Sequence, residues 1–430
     1  MKDDSYKNYL LAVLAVILAF NFVDRLALGL LLQSIKVDLA LSDTQLGVLS
    51  GIAFALFYSV MGIPIARWAD RGNRVTIIAL TAFVWSVAVA LCGAAPGFVQ
   101  LLLIRVGVGV GEAGCIPPAH SLIADHFPRA ERPRAFARYM LGGPLSDVIG
   151  YFLAGWLNQI YGWRETFVFL GLPGLGLALL AWATLREPRL RESAVGLAAA
   201  RVVRTPAESP AASLKDVYGA LHSNRSFRHL LLCFAIASFF GVGIAQWKPA
   251  FFMRSYQLDT SVVGSWFAGI YGVGGLLGTY IGGTLASRYA VDNERLQLRA
   301  MAIAYVSFAL ISICIYLAPN QYVAFGFLTL ATIGYYMTYG PFFATIQTLV
   351  PERMRATAIA LIFLFANFVG MGLGPLAAGA LSDLFRPWAG DESLRYALLT
   401  LSPGYLWGAW HLWRASRTVT HDLNALRLMS

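Results

Sequence analysis

The run "LAVLAVILAFNFV" at 11–23 is almost wholly apolar, and so is "VTIIALTAFVWSVAVALCGAA" at 75–95. A bilayer core takes about 20 apolar residues per helix, and runs of this kind recur along all 430 residues. Charged residues make up 13% of the chain, against about 25% in an ordinary soluble protein. The chain therefore reads as an all-α membrane protein. The first apolar stretch, Tyr6 to Leu32, is too long for a cleavable signal and has no small-residue cleavage site after it.

Twelve spans are expected, at 8–32, 44–67, 75–95, 98–124, 135–160, 165–185, 228–252, 261–287, 299–318, 321–349, 356–383 and 394–413. The loops orient them. Arg67, Arg71 and Arg74 follow the second span, Arg129, Arg132 and Arg134 the fourth, and Arg288, Arg295 and Arg299 the eighth. The alternate loops at 96–98 and 319–322 carry no cation. Positive loops stay in the cytoplasm, so a multi-pass protein of the plasma (inner) membrane with both termini cytoplasmic is expected. The net charge of +10 then reflects topology and contact with membrane lipids; no nucleic acid is expected as a partner. Cys92, Cys115, Cys233 and Cys314 stand alone in apolar runs, without metal or redox spacing.

The longest loop, 186–227, is rich in Ala, Pro, Ser and Arg and reads as a cytoplasmic linker, with a short amphipathic piece possible at 213–222. It separates an N-terminal six-helix bundle, 1–185, from a C-terminal one, 228–430. An internal repeat supports this division. "SLIADHFPRAERPRAFA" after the fourth span is matched by "IQTLVPERMRATAIA" after the tenth, and "PIARWADRGNR" after the second by "GGTLASRYA" after the eighth. Paired repeats of this kind mark secondary transporters.

The turn Asp70-Arg71-Gly72-Asn73-Arg74 resembles the signature of the major facilitator superfamily between its second and third helices. Ala66 stands where a Gly is usual, and Ser287 replaces the Asp of the second-half copy. The fourth helix, Arg105-x-x-x-Gly109-x-Gly111-Glu112-Ala113, resembles that superfamily's second motif. Together with "FNFVDRLALGLLLQSIKVDLALSDTQLGVLSGIAF", "HFPRAERPRA", "YGWRETFVFLGLPGL" and "GLGPLAAGALSD", these segments resemble the Spinster-type branch over nearly the whole chain. The resemblance implies twelve transmembrane helices in two pseudo-symmetric six-helix bundles. It also implies proton-coupled transport of a lysophospholipid or sphingoid phosphate. Carried over, the functional residues are Asp24 and Arg25 in the first helix and Arg105 and Glu112 in the fourth. Asp147 in "GGPLSDVIGYFLAGW" departs from the small residues usual there, as a possible extra intramembrane acid.

Charge at membrane depth is costly and usually marks a pathway or a proton relay. Taking about 1.5 Å per residue, Asp24 and Arg105 lie at one level and Glu112 lies deeper. Arg105, Gly109 and Glu112 share one helix face, and Asn21 shares the Asp24/Arg25 side of its helix. Asp24 and Glu112 are the expected proton-coupling acids. Arg25, Arg105 and Asn21 are their partners or the substrate's head-group ligands. Glu112 is not expected to reach Arg105 directly. The alternative is a permanent ion pair that only fixes packing. Gly109-x-Gly111-x-x-Gly114 has the pattern of a dinucleotide loop, but no strand precedes it; these glycines are read as close-approach positions between helices.

Asp70, Arg71 and Arg74 are expected to latch a cytoplasmic gate. Lys248 is expected near the outer end of the seventh helix, where it can snorkel. The seventh, eighth, tenth and eleventh spans hold no carboxylate or Arg at mid-membrane depth, but they are aromatic. Phe239, Tyr335, Tyr336, Tyr339 and Phe343 are the expected apolar cavity wall. One charged and one apolar wall suit an amphipath, whereas a symporter of small organic anions should offer cations from both halves. A membrane enzyme is disfavoured: no metal set, HExxH or GxSxG occurs. A non-transporting lipid sensor remains as the reading from another class. No metal or other cofactor is expected, protons being the coupling ion, and the protein is expected to act as a monomer.

Overall fold

In the computed structural model the described residues are 3–128, 130–188, 219, 223–290, 293–350 and 354–427. They are helical throughout, without strands. The linker expected over 186–227 lies largely outside them, as does most of the amphipathic piece at 213–222.

Twelve helical spans follow one another. In the first half they are α1 (Asp3–Leu39), α2 (Asp43–Arg71), α3 (Arg74–Cys92), α4 (Phe98–His126), α5 (Gly142–Tyr161) and α6 (Trp163–Thr184). A short helix, Arg132–Met140, precedes α5. In the second half they are α7 (Arg225–Tyr256), α8 (Thr260–Tyr289), α9 (Glu294–Leu317), α10 (Gln321–Thr348), α11 (355–389) and α12 (393–427).

Among the described residues, nine helical stretches are long and apolar enough to cross a bilayer on their own composition. One of these, Leu361–Ala425, contains the apolar parts of both α11 and α12. The others outside the set are α5, diluted by Ser146, Asp147 and Asn158, and α10, which carries Tyr322, Tyr335, Tyr336 and Tyr339. Several of their polar groups turn into the bundles: Ser146, Asn158, Thr332, Thr338 and Thr345 are buried.

α1 runs one to two turns past its expected end at 32. It stops where Ala40 adopts a left-handed conformation, φ 50°. α2 then starts in a capping box, with Ser42 Oγ accepting from the Gln45 N–H and Gln45 Oε1 accepting from the Ser42 N–H. Such a box satisfies two of the N–H groups that every helix start leaves open. Lys36 and Asp43 pair across the turn.

Two compact units are formed. The first comprises the described part of Met1–Thr205 together with Leu258–Ala268, and the second that of Pro206–Gln257 and Gly269–Ser430. Within the first, α3 packs on α6 and α4, α1 on α5, and α2 on α4. Within the second, α9 packs on α12 and α10, α7 on α11, and α8 on α10. The second pattern is the first shifted by six helices, the structural counterpart of the sequence repeat.

Close approach in the first unit depends on the glycines of α4. A Cβ on Gly111 would sit 2.7 Å from the backbone N of Trp85, and one on Gly109 would sit 2.9 Å from the carbonyl O of Phe54. Small residues at such points let helix backbones meet in lipid.

Candidate functional site

Five polar residues are enclosed where α1, α2 and α4 meet. Asn21, Asp24 and Arg25 come from α1, and Arg105 and Glu112 from α4. Asn21 and Glu112 are fully buried, and Asp24 and Arg105 nearly so; the Arg25 side chain is 12% exposed.

The charges pair crosswise. Arg105 Nη1 donates to Asp24 Oδ2 at 2.8 Å. Arg25 Nε donates to Glu112 Oε2 at 2.6 Å. The cluster thus holds two acids and two permanent cations. Its formal charge is zero when both acids are ionised, and it gains one positive charge with each proton bound.

Aromatic rings support the cations. The Arg25 guanidinium lies 4.5 Å from the Phe54 ring centroid, 4.7 Å from Tyr58 and 5.0 Å from Phe22. Arg105 lies 5.5 Å from Phe54. Each ring face adds about 0.5–2 kcal/mol of attraction when desolvated. That offsets part of the desolvation cost, which in a buried pair can exceed the Coulombic gain. Asn21, Asp24 Oδ1 and Glu112 Oε1 find no hydrogen-bond partner among the described residues.

Sequence reasoning placed these five residues in one region and set Asp24 level with Arg105. It did not find Arg25 as the partner of Glu112, nor the enclosing rings. Phe54 and Tyr58 are spaced i, i+4 on α2, a helical-face signal that could have named them. Asp147 is half-buried on α5, the helix packed on α1. Ser146 beside it is buried and donates to the Gly143 carbonyl at 2.6 Å.

The three residues of the α2–α3 turn have separate environments. Asp70 and Arg71 are exposed. Arg74 is fully buried inside the first unit. Its Nη1 donates to Asp125 Oδ2 at 2.6 Å and to the Ser121 carbonyl and hydroxyl at 3.0 Å. Its Nε and Nη2 both bond the Glu187 carboxylate. Arg74 thereby ties the start of α3 to α4 and to the residues that follow α6.

In the second unit the aromatic residues expected to form the apolar wall pack against other rings. Tyr339 and Phe343 of α10 meet Phe234 of α7, with ring centroids 6.2 and 5.3 Å away, and Phe343 stacks on Phe363 of α11 at 5.4 Å. Tyr335 packs against Tyr336 and Phe308. Phe239 meets Phe240 at 4.9 Å. Phe239 opens a π-helical turn, Phe239–Gly243, and such turns recur at Ala268–Val273 in α8 and Ala366–Leu373 in α11. π-helical turns are rare and concentrate at functional sites.

The profile of the Major Facilitator Superfamily matches residues 14–410. An "MFS-type efflux pump" of Mycolicibacterium smegmatis is 34% identical over 414 residues, covering 96% of this chain and 93% of that protein. A "Probable L-galactonate transporter" of Escherichia coli is 24% identical over 384 residues, covering 88% of this chain and 82% of that one. Among solved structures, a bacterial homologue of the human lysosomal transporter Spinster, inward-facing and unoccupied, superposes with a TM-score of 0.84 at 29% identity, covering 97% of this chain and 98% of that one.

Proposed function

The chain belongs to the Major Facilitator Superfamily, and within it we propose a proton-coupled secondary transporter that works by alternating access on an amphipathic, anionic lipid. Membership makes it a transporter rather than an enzyme, and its resemblance to the Spinster-type branch extends over 97% of the chain. The coupling and the substrate are our reading.

One observation carries that reading: two guanidiniums and two carboxylates are paired crosswise inside a membrane-spanning bundle. A carboxylate there can hold a proton or a cation, but has little to gain from both. Protonation of Asp24 or Glu112 loosens Arg105 or Arg25. The freed guanidinium then suits a phosphate or carboxylate head group, which Arg binds in a bidentate fashion. Proton and anion are linked in this way, and the linkage is reciprocal. The alkyl part of the substrate is assigned to the aromatic groups around Phe239, Tyr335, Tyr336, Tyr339 and Phe343. Asp70 and Arg71 are assigned to the inner gate, with both termini in the cytoplasm. In this reading the bundles are 1–185 and 228–430, joined by 186–227, in a monomer of the inner membrane.

The test is flux into proteoliposomes under an imposed pH gradient, with a panel of single-chain phospholipids. Substrate-linked proton movement with one of them supports the proposal. Lipid binding without any linked flux would favour a sensor.

Transport of small organic anions is the second reading. The likeness to an L-galactonate transporter and the cation Lys248 in the second unit favour it. Uptake of a hexuronate in place of the lysophospholipid would establish it.

A further inference from the structure

Lys248 is a half-buried cation of the second unit. It lies in α7 just after a π-helical turn, Phe239–Gly243, and a 3-10 turn, Ile244–Trp247. Eight residues separate it from the end of α7 at Tyr256, or about 12 Å along the axis. Side chains on a helix lean toward its N-terminus, which for Lys248 is away from the α7–α8 turn and deeper into the span. Its Nζ meets the Tyr271 hydroxyl at 3.4 Å. Tyr271 is eleven residues into α8 from Thr260, about 16 Å from the same turn. The ammonium therefore lies within the spanning part of α7, about a quarter of the way along it from the α7–α8 turn.

No carboxylate among the described residues pairs with Lys248. The residue is half-buried, and the accessible part of a lysine at this depth borders water rather than lipid, where its charge would be too costly. Tyr271 itself lies in the π-helical turn Ala268–Val273 of α8. A cation without an acid, a hydroxyl beside it and two distorted helix segments converge on one place.

We infer that Lys248 and Tyr271 bind an oxyanion of the transported substrate, a carboxylate or a phosphate. This deepens the transport reading and rests on it. Lys248 supplies a point charge and Tyr271 a neutral donor, a pair that recognises charge without requiring the planar geometry of an Arg fork. A substrate held here places its anionic group at a cation that no protein acid competes for. This cation is distinct from Arg25 and Arg105, which stay neutralised until a proton arrives.

The experiment measures binding by tryptophan fluorescence on the purified full chain. The probes are two matched pairs: lysophosphatidate against its uncharged monoacylglycerol, and a hexuronate against the corresponding hexose. Lys248→Gln should weaken the preferred anion by about tenfold or more and leave its uncharged counterpart unchanged. Lys248→Arg should retain most of the preference, and Tyr271→Phe, which keeps the ring, should lose about threefold or more. The pair in which the anion is preferred identifies whether the oxyanion is a lipid phosphate or a free carboxylate. A parent that prefers an anion while Lys248→Gln binds it equally well overturns the inference alone. A parent that prefers neither anion overturns the transport reading, and the inference with it.

Discussion

Arg25 Nε donates to Glu112 Oε2 at 2.6 Å, although Asp24, its neighbour in sequence, is held by a different residue of α4. Helix geometry accounts for the split. α1 and α4 run in opposite directions, and side chains lean toward the N-terminus of their own helix. Arg25 leans along α1 toward the level of Glu112, and Glu112 leans back along α4 toward Arg25. The short Asp24 stays near its own level and meets Arg105. Each acid therefore has its own cation.

Asp24→Asn should abolish pH-gradient-driven transport while leaving the protein folded. Asparagine keeps the shape and a hydrogen-bond acceptor for Arg105, but it cannot exchange a proton. Flux in proteoliposomes, compared with thermal unfolding in detergent, tests this. Undiminished pH-driven flux in the variant would remove Asp24 from the coupling.

Glu187→Gln should destabilise the first unit more than Asp125→Asn. Both acids bind Arg74. The Glu187 side chain is 3% exposed and that of Asp125 38%. Breaking a buried pair by removing one partner costs about 3–5 kcal/mol, whereas an exposed pair contributes about 1 kcal/mol or less. Unfolding temperatures should fall in that order. Equal temperatures for the two variants would show that Arg74 is not the buried anchor its contacts suggest.

The spans were legible because an apolar run of bilayer length has few alternatives in water or lipid. Even α5 and α10 could be read, since their polar residues still sit among apolar neighbours. The partner of Glu112 was not legible. Axial arithmetic puts Glu112 seven residues from Arg105, about 10 Å, and so separates those two correctly. It treats Asp24 and Arg25 as one level, however, because it counts Cα positions and not the reach of a long side chain. The glycines of α4 were read correctly, since only the absence of a strand before them was needed to exclude a phosphate loop.

Asp70→Asn should shift the resting balance between inward-open and outward-open states. Asp70 is exposed in a turn that also carries Arg71, whereas Arg74 is committed to Glu187 and Asp125. Asp70 is thus the exposed acid at this end of α2, where the latch reading puts the gate contact. Distances between spin labels on the cytoplasmic ends of α2 and α10 report the balance. Identical distributions in variant and parent would exclude the latch.

Glu112→Gln should flatten the pH dependence of anion binding. In the parent, an ionised Glu112 occupies Arg25, so an anionic head group competes with it for the guanidinium. Lowering the pH protonates the acid, frees Arg25 and should strengthen binding; raising the pH should weaken it. Glutamine is uncharged at every pH and holds Arg25 less strongly. Binding in the variant should therefore be close to the parent's low-pH value already at neutral pH. Asp24 remains as the cluster's second carboxylate, paired with Arg105, and the double variant with Asp24→Asn should remove whatever slope is left. Tryptophan fluorescence in detergent from about pH 5 to about pH 8 supplies the binding curves. Curves that stay parallel in variant and parent at every pH would show that the Arg25–Glu112 pair serves packing alone.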